Sequence, residues 1–444
     1  MDKTRRDFIK KSALGAAGLT FGSYTLTAAR SKNLLGANNT INFGVAGIHN
    51  RGMAHLSAIL DFENTHVGYL CDVDSRALEK AANFVEEKTG KRPKTFVDYR
   101  EMLEQDDFEA VSIASPDHWH TSMAIMGLQA GKHVYVEKPC CFNPNEGELL
   151  VKAVKKYNNL MVQMGNQQRS AKLSIKAINE IKDGIIGDAY YAKAWYANNR
   201  KSIGNGKIVE VPDWLDWDLF QGPAPRKKYQ DNVVHYNWHW FRHWGSGEIN
   251  NNALHELDVC RWGLGVDYPV KVTSSGGRFH YDDDWEFFDT QTANYEFSDG
   301  KMITWEGKSC NPFQIHGRGR GAAFHGTKGT ALLDRNSYEV YDMDNNLVKE
   351  EKSESKTETL GTAGGGPLDL YHYENFLNAI REGEELHSPI PDAVISNNYC
   401  HYGNIAQDVG RTLYLDQNTG RILNDAQATQ MCYREYEPGW EIKV

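Results

Sequence analysis

The nine-residue stretch GKHVYVEKP, residues 131–139, carries the strongest fold signal in the sequence. Its HVYV centre mixes β-branched and aromatic residues, which is typical of a short buried strand. Pro139 ends that strand because proline cannot donate to a sheet ladder, and the Lys138–Pro139 bond can be cis. The carboxyl ends of parallel strands face the ligand crevice of an open sheet, so we predict that Lys138 projects there. A surface lysine after an edge strand is the alternative.

The length and composition favour a globular protein of two domains. A chain of 444 residues is too long for one ordinary hydrophobic core. The formal net charge of −10 argues against nucleic acid or an anionic membrane surface as a partner. The seven cysteines form no CxxC pair, so the sequence predicts neither a metal site nor a disulfide framework.

Paired arginines, Arg5 and Arg6, precede a weakly apolar run over residues 12–29. This pattern resembles a twin-arginine export signal, and the run is too short and mild to span a membrane stably. We therefore expect residues 1–36 to be a signal and linker. The protein is then expected to be periplasmic, without a membrane span in its mature form, and the segment is either cleaved after Ala28 or Ala29 or kept as an anchor. A basic tail is the alternative.

The first strand, predicted over residues 40–46, is followed by GIHNRG at residues 47–52 and by a helix over residues 53–61. Strand, glycine turn and helix together form the unit that cradles the phosphates of a dinucleotide. The usual spacing is GxGxxG, and here His49 takes the place of the middle glycine, at which the backbone approaches the pyrophosphate. The predicted cofactor contacts in this turn are Gly47, His49, Asn50, Arg51 and Gly52.

The second strand, residues 65–70, leads into Asp72. An acidic residue about 20 positions beyond the glycines accepts the ribose hydroxyls of a dinucleotide. A carboxylate there also repels a 2′-phosphate, so we predict NAD rather than NADP as the cofactor. Asp72 could instead cap the following helix, but Asp74 and Ser75 are better placed for that role.

Strands and helices alternate up to residue 165, which predicts a doubly wound parallel sheet. The other helices are expected at residues 75–88, 99–103, 121–130 and 145–157, and the other strands at residues 109–114 and 160–164. Polar residues follow the ends of these strands. Those predicted to contact the cofactor are Ser115, Pro116, His118, His120, Glu137, Lys138 and Asn166.

Four segments in this order resemble the glucose–fructose oxidoreductase/inositol dehydrogenase (Gfo/Idh/MocA) family. They are the glycine turn, Ser115-Pro116 with His118 and His120, AGKHV at residues 130–134, and EKP at residues 137–139. The resemblance implies an NAD-binding Rossmann domain over residues 37–165 and an α+β substrate domain over residues 166–444, built on a large, mostly antiparallel open sheet. It also implies a sugar or cyclitol substrate and a homodimer or homotetramer. Some relatives are glycosidases that use NAD transiently.

A long irregular segment, residues 198–245, lies within the second domain and is rich in Trp, Tyr and His. A loop of this length is usually functional, and aromatic faces stack on sugar rings. We predict substrate contacts from Arg169, near the start of the domain, and from Tyr236, Trp238 and His239 in the segment. Alternatively, its aromatic residues only pin the loop to the core.

Residues 251, 255 and 258 fall on one face of a predicted helix. In the family this segment reads Asp-x-Gly-x-His, with the histidine beside the reacting carbinol, which implies a catalytic role for His255. Asn251 stands in the place of the aspartate and Ala253 in that of the glycine. Asn251 can bind a substrate hydroxyl but cannot hold a negative charge. A buried, hydrogen-bonded structural role for His255 is the alternative.

Strands dominate the rest of the chain. They are predicted at residues 270–275, 290–297, 302–308, 321–325, 330–333 and 337–341. Asp299-Gly300 indicates a hairpin, and the charged, then glycine-rich residues 350–366 predict a mobile loop. Two further helices are expected at residues 368–381 and 393–414, the latter near the domain junction.

Together these features predict an exported NAD-dependent oxidoreductase acting on a secondary hydroxyl of a carbohydrate. Lys138 would stabilise the developing alkoxide, and His255 would accept the proton. No free NAD pool is expected outside the cytoplasm, so the cofactor should stay bound through turnover. Two alternatives remain open: an NAD-dependent glycoside hydrolase that oxidises its substrate transiently, and a non-catalytic sugar-binding protein.

Overall fold

The computed structural model describes residues 40–353 and 366–444. The predicted signal and linker, with Arg5 and Arg6, and most of the loop predicted at residues 350–366 therefore lie outside the described residues. No helix in the described part of the chain has the length and apolar character needed to cross a lipid bilayer.

The described part of the first domain is a parallel sheet of six strands in the order β3-β2-β1-β4-β5-β6. The strands are β1 Ile41–Ala46, β2 Thr65–Cys71, β3 Lys94–Phe96, β4 Ala110–Ile113, β5 His133–Val136 and β6 Val162–Met164. The helices between them are α1 Asn50–Leu60, α2 Ser75–Thr89, α3 Tyr99–Leu103, α4 Asp117–Gln129 and α5 Pro144–Lys156. The predicted doubly wound sheet is confirmed. The three-residue edge strand β3 was not predicted, because KTF is too short to show a period.

Two helices begin earlier than predicted, α1 at Asn50 and α4 at Asp117. The sequence pattern placed each start at the first apolar residues, whereas the chain becomes helical soon after Gly47 and directly after Pro116. Gly47 turns the chain into α1 with a φ of +79°. Pro116 precedes α4 in an extended conformation. Several side chains predicted to act from loops therefore belong to the first turns of helices at the carboxyl edge of the sheet.

The second domain is built on a mixed, mostly antiparallel sheet, with nine described strands in the order β14-β13-β12-β11-β7-β10-β9-β8-β15. These are β7 Ala189–Ala197, β8 Lys271–Gly277, β9 Thr290–Glu296, β10 Met302–Lys308, β11 Arg320–Gly326, β12 Gly329–Leu333, β13 Ser337–Tyr341, β14 Leu347–Lys352 and β15 Leu413–Tyr414. Strands β7 and β10 pair in parallel. The predicted hairpin at Asp299-Gly300 joins β9 to β10.

Helices cover one face of this sheet and the domain junction. They are α6 Lys172–Lys182, α7 Trp217–Gln221, α8 Leu254–Leu264, α9 Pro367–Glu382, α10 Ile390–Val409 and α11 Ala426–Gln430. Short 3₁₀ turns span Gln167–Ser170 and Asn237–Trp240. A π-helical turn, Ile249–Ala253, precedes α8 directly.

Two predictions for the second domain were wrong in extent. The helix predicted at residues 393–414 ends at Val409, because Gly410 takes the left-handed conformation, and Leu413–Tyr414 pair with β8 instead. The loop predicted from residue 350 begins later, since Leu347–Lys352 form β14 against β13. Charged side chains suit this exposed edge strand, which is why its sequence resembles a loop.

Helix α9 comes late in the chain but packs on the first domain. Tyr373 and Phe376 of α9 belong to the same buried cluster as Ile41 and Phe43 of β1. The rings of Tyr135 and Tyr373 stack with centroids 4.3 Å apart. The two domains thus share a core beside β5, which fixes the carboxyl edge of the first sheet against the second domain.

Candidate active site

A cavity of about 850 Å³ lies between the domains, at the carboxyl edge of the parallel sheet. The first domain contributes the glycine turn and the residues after β2, β4 and β5 to its walls. The second contributes the segment of residues 198–245, the π-helical turn and the loop ahead of β11. A large cavity at the topological switch of a doubly wound sheet is the usual position of a ligand site.

The glycine turn is closely packed at both of its outer glycines. A Cβ on Gly47 would lie 2.5 Å from the backbone nitrogen of Ser115, and one on Gly52 would lie 2.0 Å from the carbonyl oxygen of Gly47. Neither position can therefore hold a larger residue without moving the backbone. No side chain caps the start of α1, and the unpaired N–H groups of such a helix end attract anions.

Asp72 lines one end of the cavity with its carboxylate held by the backbone. Its Oδ2 accepts from the N–H of Ile48 at 2.5 Å, and its Oδ1 accepts from the N–H of Asp74 at 2.9 Å. Burial raises the pKa of Asp72, and these two N–H groups oppose the rise. The cap of α2 is Asp74, which accepts from the N–H of Arg76, so Asp72 does not serve as the cap. Its remaining lone pairs can accept hydroxyl protons.

His49, which replaces the middle glycine, contacts the second domain. Its ring stacks on that of His235, with centroids 4.3 Å apart and planes at 15°. His235 in turn places Nε2 2.7 Å from Oδ2 of Asp74. Burial lowers the pKa of both His49 and His235. The histidine that replaces the middle glycine therefore makes a contact between the two domains.

Glu137 is engaged in a buried network. Its carboxylate accepts from Nε of Arg51 at 2.6 Å and from Nε2 of Gln167 at 3.1 Å, and it lies 3.0 Å from Nε2 of His55. Arg51 also pairs with Asp369 at the start of α9. Burial by itself would raise the pKa of Glu137, but Arg51 and His55 hold that pKa well below its usual range.

Lys138, the next residue, faces the cavity, and its bond to Pro139 is cis. Its Nζ donates to the carbonyl oxygen of Asn251 at 2.6 Å and to Oδ1 of the same residue at 3.1 Å. An ammonium group has three donors, so one N–H remains for a ligand. Burial lowers the pKa of Lys138, while the carboxylates of Glu137 and Asp117 partly offset that effect.

His255 lies in the first turn of α8, on the cavity wall, with 2% of its surface exposed. Its Nδ1 has no hydrogen-bond partner among the described residues. Burial, then the cations of Arg335, Lys138 and Arg320, hold the pKa of His255 well below its usual value. The ring is therefore neutral and can accept a hydrogen bond or a proton. The alternative for His255 is a hydrogen-bonded structural role. That role would need a partner for Nδ1, and none lies among the described residues.

Four predicted site residues lie outside the cavity wall: Gly52, His118, Asn166 and Arg169. His118 turns its ring nitrogens toward the carbonyl oxygens of Trp244 and Phe220, at 3.1 and 2.9 Å. Arg169 makes a bidentate pair with Asp258, at 2.6 and 2.7 Å. Both side chains therefore join elements of the structure.

The remaining predicted residues line the cavity. They are Gly47, His49, Asn50, Arg51, Asp72, Ser115, Pro116, His120, Glu137, Lys138, Tyr236, Trp238, His239, Asn251 and His255. The hydroxyl of Ser115 is buried without a partner among the described residues. His120 places its ring nitrogens 2.7 Å from the carbonyl oxygens of Ser115 and Pro139, so it joins the residues after β4 to those after β5.

The aromatic residues of the segment 198–245 divide into two groups. One group packs with Leu215, Ala224 and Val233 as a small core of its own and consists of Trp217, Phe220, Tyr229, Phe241 and Trp244. The other faces the cavity, where Trp238 and His239 stack with centroids 3.6 Å apart. Pinning to a core and lining of the cavity are therefore both present, and Phe220 does both.

Several cavity residues were missed from the sequence, notably His235 and four arginines, Arg200, Arg318, Arg320 and Arg335. Arg200 pairs with Glu248 and donates to the hydroxyl of Tyr236 at 2.9 Å. Arg320 makes a bidentate pair with Glu256, with both distances 2.8 Å. Arg318 and Arg320 stand in the GRGRG run at residues 317–321, whose composition alone does not place it beside the first domain. Arg200 and His235 stand in irregular sequence that gives no signal of their position.

These residues fit a bound dinucleotide. The uncapped start of α1 and the two tightly packed glycines suit a pyrophosphate, and Asp72 suits the hydroxyls of a ribose. The orphaned hydroxyl of Ser115 offers a further polar contact. Among the described residues, no group of three or more His, Cys, Asp or Glu side chains could hold a metal ion.

Comparison with known proteins agrees with this fit. Residues 41–166 match the model described as "Oxidoreductase family, NAD-binding Rossmann fold", and residues 200–399 match that of the same family's C-terminal alpha/beta domain. Curated relatives include a glycosyl hydrolase family 109 protein of Saccharopolyspora erythraea, 26% identical over 51% of this chain and 55% of the relative. Another, from Shewanella pealeana, is 26% identical over 44% of this chain and 46% of the relative. The chain spans about half the length of the curated relatives it matches.

Solved structures show the same two-domain fold over most of the chain. The WlbA dehydrogenase from Bordetella pertussis, in complex with NADH and UDP-GlcNAcA, has a TM-score of 0.62 and 20% identity, covering 85% of this chain and 99% of its own. A levoglucosan dehydrogenase, in complex with NADH and levoglucosan, has a TM-score of 0.64 and 19% identity, covering 84% and 99%. At these identities the likeness concerns the fold. The two matching domain models, in the expected order along one chain, show that the chain belongs to the Gfo/Idh/MocA oxidoreductase family, with NAD as the cofactor of its Rossmann domain.

Proposed function

We propose that this protein transfers hydride to or from a secondary hydroxyl of a sugar, glycoside or cyclitol. The observation that carries the proposal is that Lys138 and His255 line the same cavity, each with capacity left for a ligand. Bound NAD supplies the hydride acceptor and donor. Sugar dehydrogenases among the structural neighbours support the substrate class.

The two side chains divide the work at the reacting carbinol. The free N–H of Lys138 donates to the carbinol oxygen and stabilises negative charge as it develops there. The neutral ring of His255 accepts the hydroxyl proton. Asn251 holds Lys138 through its backbone and side-chain oxygens, so an uncharged residue suffices at that position to aim the ammonium group.

The names of the curated relatives favour a second candidate, net hydrolysis of a glycoside. In that route a ring hydroxyl is oxidised to a ketone, the adjacent carbon loses its proton, and the aglycone leaves. Water then adds to the resulting double bond, and reduction of the ketone restores the hydroxyl. Atoms and electrons balance without an external oxidant, which suits a protein that keeps its cofactor.

Single-turnover reduction of bound NAD⁺ by a panel of free sugars, cyclitols and glycosides tests the proposal. A dehydrogenase yields NADH together with a ketone or lactone. A hydrolase releases the aglycone from a glycoside in deuterated water and leaves deuterium at the carbon next to the oxidised one. If no member of the panel reduces the cofactor or is cleaved, both enzymatic proposals fail. That result would favour the alternative of a non-catalytic sugar-binding protein.

We also propose export by the twin-arginine route to the periplasm, on the basis of Arg5 and Arg6, and assembly into a homodimer or homotetramer, by family resemblance. Replacing Arg5 and Arg6 together with lysine should leave the protein in the cytoplasm with an intact N-terminus. Unchanged delivery of that variant to the periplasm would refute the export proposal. Light scattering of the purified protein measures its assembly.

A further inference from the structure

The segment of residues 198–245, called the insert below, crosses from the second domain to the first. It docks on two loops at the carboxyl edge of the parallel sheet, one after β2 and one after β4. These loops flank the end of the cavity that holds Asp72, and the insert's Leu219, Phe220 and His235 line the same cavity.

The contact with the loop after β2 is made through backbone as well as side chains. The N–H of Ser75 donates to the carbonyl oxygen of Trp214 at 2.9 Å, and the N–H of Asp216 donates to that of Val73 at 2.9 Å. The guanidinium of Arg76 lies 3.4 Å from the ring centre of Trp214. Paired backbone hydrogen bonds of this kind fix the register of the insert against the first domain.

The contact with the start of α4 uses buried donors. Nε1 of Trp119 donates to the carbonyl oxygen of Phe220 at 2.9 Å, and Nε2 of His118 lies 2.9 Å from the same oxygen. Nδ1 of His118 lies 3.1 Å from the carbonyl oxygen of Trp244. The predicted cofactor residue His118 therefore anchors the insert.

A third contact lies directly on the glycine turn. His235 bonds Asp74 through Nε2 and stacks on His49. Asp74 is 2% exposed, so this hydrogen bond joins the insert to a buried carboxylate that also caps α2. The insert's own aromatic core makes these three contacts parts of one packed unit.

We infer that the insert is a strap that retains the dinucleotide, and that His235, from the second domain, is the residue that closes it beside the glycine turn. A ligand held between Asp72 and the start of α1 can exchange only when the strap detaches from these loops. The inference rests on NAD binding by the Rossmann domain and is independent of the proposed substrate.

The test is the exchange of bound NAD in the full-length holoprotein, with no sugar present. Purified protein is mixed with excess deuterated NAD, and mass spectrometry of released cofactor follows replacement over time. We expect slow exchange in the parent and roughly 10- to 100-fold faster exchange in His235→Ala, because a hydrogen bond to a buried carboxylate is lost. His235→Gln should restore part of the retention, since it keeps a donor toward Asp74.

His243→Ala is the matched control. His243 belongs to the insert and lies 2.6 Å from the carbonyl oxygen of Pro225, inside the insert itself, so its loss should leave exchange unchanged. Trp214→Ala removes the contact with Arg76 without touching the cavity wall and should also speed exchange. It keeps the inference testable if His235→Ala does not fold.

Parent protein that is purified without NAD, or that exchanges it within the mixing time, would overturn the inference. Exchange in Trp214→Ala and folded His235→Ala at the rate of His243→Ala would overturn it equally. None of these exchange rates depends on turnover. The role of the strap can therefore be tested even if the protein is inactive on every sugar.

Discussion

The two ends of the cavity differ in how completely their titratable side chains are bonded. At the Asp72 end, both carboxylate oxygens accept backbone N–H groups, and His235 is tied to Asp74. At the Lys138 end, one donor of the ammonium group remains, and Nδ1 of His255 has no partner in the described chain. Satisfied buried groups fix geometry, whereas unsatisfied ones are costly and need a reason. In the proposed function, the Asp72 end holds the cofactor and the Lys138 end reacts with the substrate.

The largest effect should come from Lys138→Ala. Loss of the charge at the carbinol oxygen should lower single-turnover reduction of bound NAD⁺ by about 10²- to 10⁴-fold, with NAD content unchanged because Lys138 lies away from the Asp72 end. Lys155→Ala, an exposed lysine on α5, is the control and should react like the parent. A Lys138→Ala protein that reduces its cofactor at the parent rate would make the lysine structural.

His255→Ala should cause a loss of about 10²-fold or more. The double variant Lys138→Ala/His255→Ala should lose less than the product of the two single losses, since groups that act on one proton are not additive. Single-turnover rates of the three variants and the parent complete the cycle. Strict multiplication of the single effects would show that the two residues act on separate steps.

Arg51→Ala should reduce the free energy of unfolding by about 3 kcal/mol, because it leaves Glu137 and Asp369 buried without their cation. The lower end of the usual range applies since 23% of the Arg51 side chain is exposed. Denaturant titration measures the change. Arg92→Ala, which breaks exposed pairs with Glu79 and Glu86, should change the free energy of unfolding far less, because exposed ion pairs add little stability. Equal losses of unfolding free energy in the two variants would show that the buried ion network stabilises the protein no more than the exposed pairs do.

Asp72→Ala should relax the cofactor preference. Removing the carboxylate loses the ribose hydrogen bonds and the repulsion of a 2′-phosphate, so the ratio of NADP to NAD affinity should rise roughly 10- to 100-fold. Calorimetric titration of protein stripped of cofactor measures both affinities. Tighter binding of NADP than NAD by the parent would contradict the role assigned to Asp72.

Asn251→Ala should have the smallest effect. It removes the 3.1 Å side-chain contact to Lys138 but keeps the 2.6 Å backbone contact, so we expect KM to rise about 2- to 10-fold with kcat little changed. Steady-state kinetics with the best substrate of the panel gives both parameters. A fall in kcat as large as that of Lys138→Ala would show that the amide group itself takes part in the reaction.

The sequence predicted the parallel sheet and the Lys138 end of the cavity because those signals are local. A strand that ends in EKP and a glycine turn each specify geometry within a few residues. Arg169 was harder to assign, since its partner Asp258 is 89 positions away and only the folded chain shows the pair. His235 gave no signal for the same reason, because its partners Asp74 and His49 belong to the other domain.

The packing of α9 on the first domain has a consequence for biosynthesis. Tyr373, Phe376 and Leu377 complete the apolar cluster around β1, and Asp369 closes the ion network on Arg51. The ribosome must therefore translate past residue 377 before α9 can cover the apolar residues of β1 in the first domain. A nascent chain interrupted earlier would expose Ile41 and Phe43 and would lack Asp369, one of the two carboxylates that pair with Arg51. We therefore expect the cofactor to load late, after most of the polypeptide has been made.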